Sequence, residues 1–356
     1  MTTPFTGSRY VLIDYLHLAH RCVSAAPLSS PVMIGNEVHT VDTTIPNYTI
    51  KNVYRYGGKG LHYTGVFLEG GNDKRKQYFA NQAMPTGKNA TKEYKGGRKT
   101  NNSSFYQGVD LAINLMHNGK VSLYRQTGFE ADDCIIAMVK KIKAVDQITP
   151  IDIITGDSDL LALVDDQVSV YMRGTRQHAE DGCPDLRLYF QVTPETWDEY
   201  LSYASAYRDY VIPYNSMLLF KMIRGDKTDN ITGACKGYGG KTYTNLMYQM
   251  LEDGVDFPNI FRYGVDFDTV IRPVLERYFT GTMDGMIVPK EKLHLYKDTS
   301  NGDLTDDVGT EISTVDYMKF IYNGINPDYV NLDIPKQIEL GLLQTALQPV
   351  KINLMA

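Results

Sequence analysis

Cysteine is scarce and unpatterned in this chain: Cys22, Cys134, Cys183 and Cys235 stand far apart, with no CxxC spacing. That usage excludes a disulfide framework and a thiolate zinc site, and it points to reduced thiols in a cytoplasmic setting. There is no N-terminal signal-type apolar segment and no apolar run of membrane-spanning length, so neither export nor a membrane partner is expected. An excess of positive charge is missing too: 36 Lys and Arg against 42 Asp and Glu leave a net charge of −6. Taken alone, this balance speaks against a nucleic-acid binder. The distribution says otherwise. Lys74, Arg75, Lys76, Lys88, Lys92, Lys95, Arg98 and Lys99 crowd one stretch that holds only Asp73 and Glu93 as acids. At 356 residues the chain has room for one large domain or two ordinary ones.

What is present in quantity is acid at selected places. Residues 128–160 carry Glu130, Asp132 and Asp133 in one cluster and Asp157 and Asp159 in a second. Between them, Ile135, Ile136, Val139 and Ile142 recur at helical spacing. Ile151, Ile153, Ile154 and Thr155 then read as a short strand. The first cluster therefore falls on the first turn of a helix, and the second just past the carboxyl end of a strand. Two more apolar runs end in an acid: Tyr10–Ile13 leads into Asp14, and Gly65–Leu68 leads into Glu69. If these runs are neighbouring parallel strands, all the strand-end acids converge on one sheet edge, where open α/β sheets bind ligands.

Such crowding is costly, because two like charges about 4 Å apart repel by roughly 4 kcal/mol at an effective dielectric near 20. Oxygen-only donors without His or Cys suit Mg²⁺ or Mn²⁺, so a two-metal phosphoryl-transfer site is the natural inference. Either cluster alone reads better as helix caps and solvated turns. Three strand-end positions together with EADD do not.

GFEADD followed by ITGDSDLLAL resembles the 5′ nuclease family, which comprises flap endonucleases, bacteriophage 5′-3′ exonucleases and phage ribonuclease H. The resemblance runs from residue 9 to about 250 through several motifs in the family's order. It implies an α/β fold with a central, mainly parallel sheet flanked by helices (a PIN-like core), a helical arch and a helix–three-turn–helix. It also implies domains of about 1–205, with the arch near 72–118, and 206–356. By the match, Asp14, Glu69, Glu130 and Asp132 stand nearest a first metal. Asp133, Asp157, Asp159, Asp226 and Asp229 support a second. Glu69 stands where the family usually has Asp, one methylene shorter.

EYKGGR at 93–98 resembles the base of the family's arch, which makes Lys95 and Arg98 electrostatic catalysts at the scissile phosphate. Arg21, seven residues after Asp14, and Arg75, Lys76 and Tyr94 in the basic segment are the accompanying nucleic-acid contacts. Residues 217–251 read as helix, glycine-rich loop, helix, a backbone-amide site for phosphate. GDKTDN within them resembles the family's second acidic motif. GYGGKT resembles its duplex-gripping, K⁺-holding loop, with Lys236, Gly237, Gly239 and Lys241 as contacts. The loop is one residue longer than the family's pattern.

The implied partners are DNA with a 5′ flap, nick or fork, RNA–DNA hybrids at primers, and replication proteins, with the chain a monomer in the cytoplasm of a bacterial host. Three other readings compete. A haloacid-dehalogenase-type phosphotransferase needs a DxD nucleophile motif, but Leu16 stands two residues after Asp14. A PIN-type ribonuclease lacks the helix–loop–helix, and a non-catalytic binder of the same fold is expected to have lost several acids. Residues 27–64 are expected to be loop with a short helix near 47–56, and 174–190 an edge hairpin or loop. A helix is expected to start with Thr193 as cap, and helices are expected at 268–279, 312–323 and 335–347.

Overall fold

The computed structural model describes residues 8–22, 28–34, 37–57, 63–80, 94–95, 103–118, 121–173, 189–288 and 310–326. Its first elements are β1 (Tyr10–Asp14), α1 (Tyr15–Cys22), a hairpin of β2 (Ser29–Ile34) and β3 (Glu37–Asp42), α2 (Thr44–Tyr56) and β4 (Tyr63–Phe67). Next come α3 (Asp73–Ala80), α4 (Ser103–Asn118), β5 (Ser122–Tyr124), α5 (Ala131–Val145), β6 (Ile151–Ile154), β7 (Val168–Arg173) and β8 (Tyr189–Val192). The main sheet has the order β5-β4-β1-β6-β7-β8. Its first five strands are parallel, and β8 runs antiparallel on the edge. The fold is therefore α/β around a mainly parallel sheet.

Both faces of the sheet are covered, which is why the central strand β1 reads as an unbroken apolar run up to Asp14. Side chains alternate across a strand. Val11 and Ile13 enter a core shared with α1, α2 and α4, while Leu12 enters the opposite core, shared with α5. The latter continues without a break into the helical remainder, from Leu12 through Met217 and Phe261 to Ile325. The expected boundary near 205 is thus a change of architecture within a shared core.

Several expectations shift. The 27–64 stretch holds the β2–β3 hairpin, whose alternation is too short and interrupted to read locally, before the helix α2. The helix expected from Thr193 starts at Trp197, because Thr193 and Thr196 form their own turn, with Thr193 N donating to Thr196 Oγ1 at 2.9 Å. Residues 310–313 pair with 282–288 before the helix Thr314–Ile325. The segments 174–188 and 335–347 lie outside the described residues. No helix among the described residues is long and apolar enough to cross a membrane.

Candidate metal centre

β4, β1 and β6 are adjacent, so their carboxyl ends come together. In register, Asp14 lies beside Phe67 on one side, and Ile13 lies beside Ile154 on the other. Glu69 follows two residues after β4, and Asp157 three residues after β6. α5 begins at the same edge, with Glu130 as its N-cap and Asp132 and Asp133 in its first turn. The turn Thr155-Gly156-Asp157 passes close against α1, where a Cβ on Gly156 would stand 2.2 Å from the His17 ring.

From the far side the helix Met217–Arg224 and the small hairpin Gly225–Asp226/Ile231–Thr232 bring Asp226 and Asp229. Three overlapping carboxylate groups result: Glu130–Asp132–Asp133, Asp132–Asp157–Asp159 and Asp159–Asp226–Asp229. In each, one oxygen per residue lies within 4.8 Å of the others. All are buried or half-buried, so the like charges cannot be relieved by water alone.

The structure relieves them in several ways. Thr155 Oγ1 donates to Asp14 Oδ2 at 2.9 Å, yet burial outweighs this bond and pushes the Asp14 carboxyl up to about 7. Glu69 is open to solvent at the rim, while protein atoms crowd its carboxyl. That desolvation first, then the charges of Asp132, Asp14 and Glu130, hold it well above the usual range. Burial also raises Asp157, with Asp132 adding to it. Burial would raise Asp226 as well, but the ammonium of Lys221 brings it below its ordinary value.

Two buried cations stand inside this ring of acids. Arg75, on α3, is 1% exposed. Its guanidinium reaches Asp133 at 2.5 Å, Glu130 at 3.0 Å and Asp132 at 3.3 Å. Lys221, 4% exposed, contacts Asp159 and reaches Asp226 at 2.7 Å. Sequence reasoning missed Lys221. The available signal was a lone lysine inside the apolar run MLLF-K-MI, where a charge needs a buried partner.

The other expected contacts divide. Lys95 does join the acids: its Nζ lies 2.5 Å from Glu130 and 3.8 Å from Asp229, and its backbone N–H donates to Asp229 O at 3.0 Å. It adopts a left-handed backbone (φ 53°) to do so. Arg75 and Tyr94, expected to meet nucleic acid, face inward instead. The Tyr94 ring stacks on Phe79 at 5.1 Å, and its hydroxyl lies 2.9 Å from Glu130 and 3.0 Å from Asp229. An arginine among apolar neighbours is drawn to buried carboxylates, and a tyrosine ring to apolar contact, more strongly than either is to solvent.

Asp133 also differs from its companions. It is fully buried, one oxygen accepting from Glu130 N and the other from Arg75. Arg21 lies over the Tyr189 ring at 4.5 Å, and Lys76 is half-buried on α3. Lys236, Gly237, Gly239 and Lys241 are exposed at the loop before the helix Gly240–Glu252. Gly237 takes φ 83°, a conformation suited to glycine, and nothing would crowd a ligand's approach to it within 4 Å. Arg98 lies outside the described residues.

The family model for the N-terminal resolvase-like domain of 5′-3′ exonucleases matches residues 73–185, the span from α3 past the GDSD turn and β7. Over this segment the chain is similar to 5′-3′ exonucleases. The match covers the Arg75 helix, Tyr94–Lys95 and both acidic motifs of the sheet edge.

Among similar proteins, DNA polymerase I of Bacillus caldotenax is 29% identical over 242 residues, covering 68% of this chain and 23% of the polymerase. The 5′-3′ exonuclease of Mycoplasma pneumoniae is 31% identical over 161 residues, 44% of this chain and 47% of the relative. The chain thus spans about a quarter of the polymerases it matches and about half of the free-standing exonuclease.

Two solved structures are similar at low identity. A T5 5′-exonuclease with bound zinc ions is 20% identical, covering 68% of this chain and 76% of that chain, at TM-score 0.46. A bacteriophage T5 flap endonuclease pseudo-enzyme–product complex with DNA and metal ions is 18% identical, covering 73% and 81%, at TM-score 0.47.

The donor set fits hard divalent cations. It is all oxygen, it brings more negative charge than the two buried cations offset, and Asp132 Oδ2 is buried with no hydrogen bond among the described residues beyond its 3.3 Å ion pair with Arg75.

Proposed function

We propose that the chain is a divalent-metal-dependent 5′ nuclease, hydrolysing phosphodiesters near the 5′ ends of flapped, nicked or forked duplex DNA. One observation carries this reading: three overlapping carboxylate groups at the carboxyl edge of a parallel sheet, with Lys95 of the basic segment reaching into them. Mg²⁺ or Mn²⁺ in two positions would be held by Asp14, Glu69, Glu130 and Asp132 on one side, and by Asp157, Asp159, Asp226 and Asp229 on the other. When bound, such ions supply an activated water and Lewis-acid stabilisation of the charge that develops at phosphate.

The chain's own groups do the rest. Lys95 meets a phosphate with positive charge that is already in place before the reaction, so no reorganisation is needed at the barrier, and Arg98, three residues on in sequence, would add a second charge. The Asp226 carboxylate is oriented by loop backbone, its Oδ1 accepting from Thr228 N at 2.8 Å and from Asp229 N at 3.2 Å, and the Asp229 carboxylate accepts from Tyr94 Oη at 3.0 Å.

The part up to about residue 205 is the catalytic core, and the helix–three-turn–helix at 217–251 grips the duplex backbone through loop amides, Lys236 and Lys241, with K⁺ as a loop ligand. RNA primers of DNA replication, in phage-type or bacterial settings, fall within the same substrate class. A 5′-labelled flapped duplex incubated with Mg²⁺, and separately with EDTA, tests the reading. Short 5′ products that need the metal support it. Fork binding without cleavage in either Mg²⁺ or Mn²⁺ would replace it with a recruitment role.

A further inference from the structure

Arg75 is more than one ion-pair partner among several. Three carboxylates, Glu130, Asp132 and Asp133, surround its guanidinium, and Tyr94 Oη accepts a fourth contact at 3.2 Å. The group is sealed from water, with Arg75 and Asp133 side chains 2% and 1% exposed. A buried charge of that kind must be matched locally, and a planar fork of five donors matches three carboxylates here in fixed directions, where an ammonium is a point charge.

The arginine is itself held from behind. Phe79, one turn further along α3, stacks on Tyr94, and Tyr78 stacks on Phe320 at 4.9 Å while its hydroxyl donates to Phe320 O at 3.0 Å. Gly324 leaves room for the Phe79 ring, since a Cβ there would stand 2.3 Å from it. The helix Thr314–Ile325 thus backs α3, and α3 presents one fixed cation to the start of α5.

We infer that Arg75 is a positioning residue that serves as a built-in cation for the Glu130–Asp132–Asp133 group. It occupies this corner of the acidic ring permanently, so that Glu130 and Asp132 are held in place for exchangeable cations on their outer side. Asp133 is committed to Arg75 and to the backbone of Glu130, and acts through them rather than on a metal. This rests on the divalent-metal reading above and assigns one residue within it a role that neither phosphate binding nor packing describes.

The test compares thermal unfolding of the purified chain, by circular dichroism, in EDTA and in saturating Mn²⁺. The variants are Arg75→Gln, Arg75→Lys and the charge-balanced pair Arg75→Gln with Asp133→Asn. Removing the built-in cation should make the carboxylates depend on a free one. The Tm gain from Mn²⁺ should then be larger in Arg75→Gln than in the unmodified chain, and Arg75→Lys should lie closer to the unmodified value.

If Arg75→Gln alone fails to fold in EDTA, its recovery in Mn²⁺, or in the pair with Asp133→Asn, supports the inference. Equal loss of Tm with and without Mn²⁺ would mean that Arg75 serves packing alone and would overturn it, as would failure of both rescues. If the unmodified chain itself gains nothing from Mn²⁺ or Mg²⁺, it is the metal reading that fails, and the two failures are distinguishable.

Discussion

The two ends of the acidic ring meet the same physical problem with different cations. At the α5 end, Arg75 spreads one charge over three carboxylates and a tyrosine hydroxyl in a dry pocket. At the other end, Lys221 concentrates its charge on Asp159 and Asp226, and Asp226 keeps a further oxygen on loop backbone amides. A guanidinium fork fixes geometry, whereas an ammonium on a flexible stem is a point charge that can shift. One planar group therefore fixes the α5 end in several directions at once, whereas a single buried point charge holds the Lys221 end.

The comparison can be broken most severely in the middle, where the two ends share carboxylates. Asp132→Asn or Asp157→Asn should reduce cleavage of a flapped duplex to background while binding in a gel-shift assay persists. Retained cleavage would remove these acids from the metal set.

Next in size is the Lys221 end. Lys221→Met leaves Asp159 and Asp226 facing each other without their counter-ion, which should cost about 3–5 kcal/mol of metal-free stability. Denaturant unfolding in EDTA measures the cost, and Mn²⁺ should recover much of it. Lys95→Ala touches both ends, through Glu130 and Asp229, and should slow single-turnover cleavage about 100-fold. Duplex affinity should change little; an equal loss in affinity would make Lys95 a binding residue only.

A smaller effect separates the ends by pH. Asp14 and Asp133 are raised from below 4 to about 7 by burial. The folded, metal-free chain therefore binds protons that the unfolded chain has released, and stability falls as pH rises from about 4 through 7. Tm in EDTA should drop between pH 5.5 and 8, and Mn²⁺ should raise it more at pH 8, where the carboxylates are ionised. A flat profile would count against the burial of these two charges. The smallest change lies furthest from the ring: replacing Lys236 and Lys241 together should weaken duplex binding and lower its salt slope by roughly 2.

Much of the site was legible because its acids sit at local landmarks. A strand that ends in Asp14, a turn that spells GDSD and a helix that starts at Glu130 are readable from spacing within about fifteen residues. The β2–β3 hairpin was not, since short alternation broken by Pro31 carries little signal. The inward turn of Tyr94 and Arg75 was also hidden. From sequence, a basic segment with aromatics reads as a surface for phosphate and bases. Its buried destination depends on Phe79, on Glu130 far downstream, and on a helix that begins at Thr314.

By itself, the sequence determined the α/β alternation, the acids at strand ends and helix start, and the helix–loop–helix that follows, because periodicity and turn chemistry act over a few residues. Tertiary structure alone decided that β4, β1 and β6 are neighbours, that Asp226 and Asp229 complete the ring, and that Arg75 and Lys221 neutralise its two ends. Arg75 joins acids 55 to 58 positions away, and Lys221 joins Asp159, 62 positions away, to its near neighbour Asp226. Desolvation selects such partners only after the chain has folded around them, when a buried carboxylate must find whichever cation lies within reach.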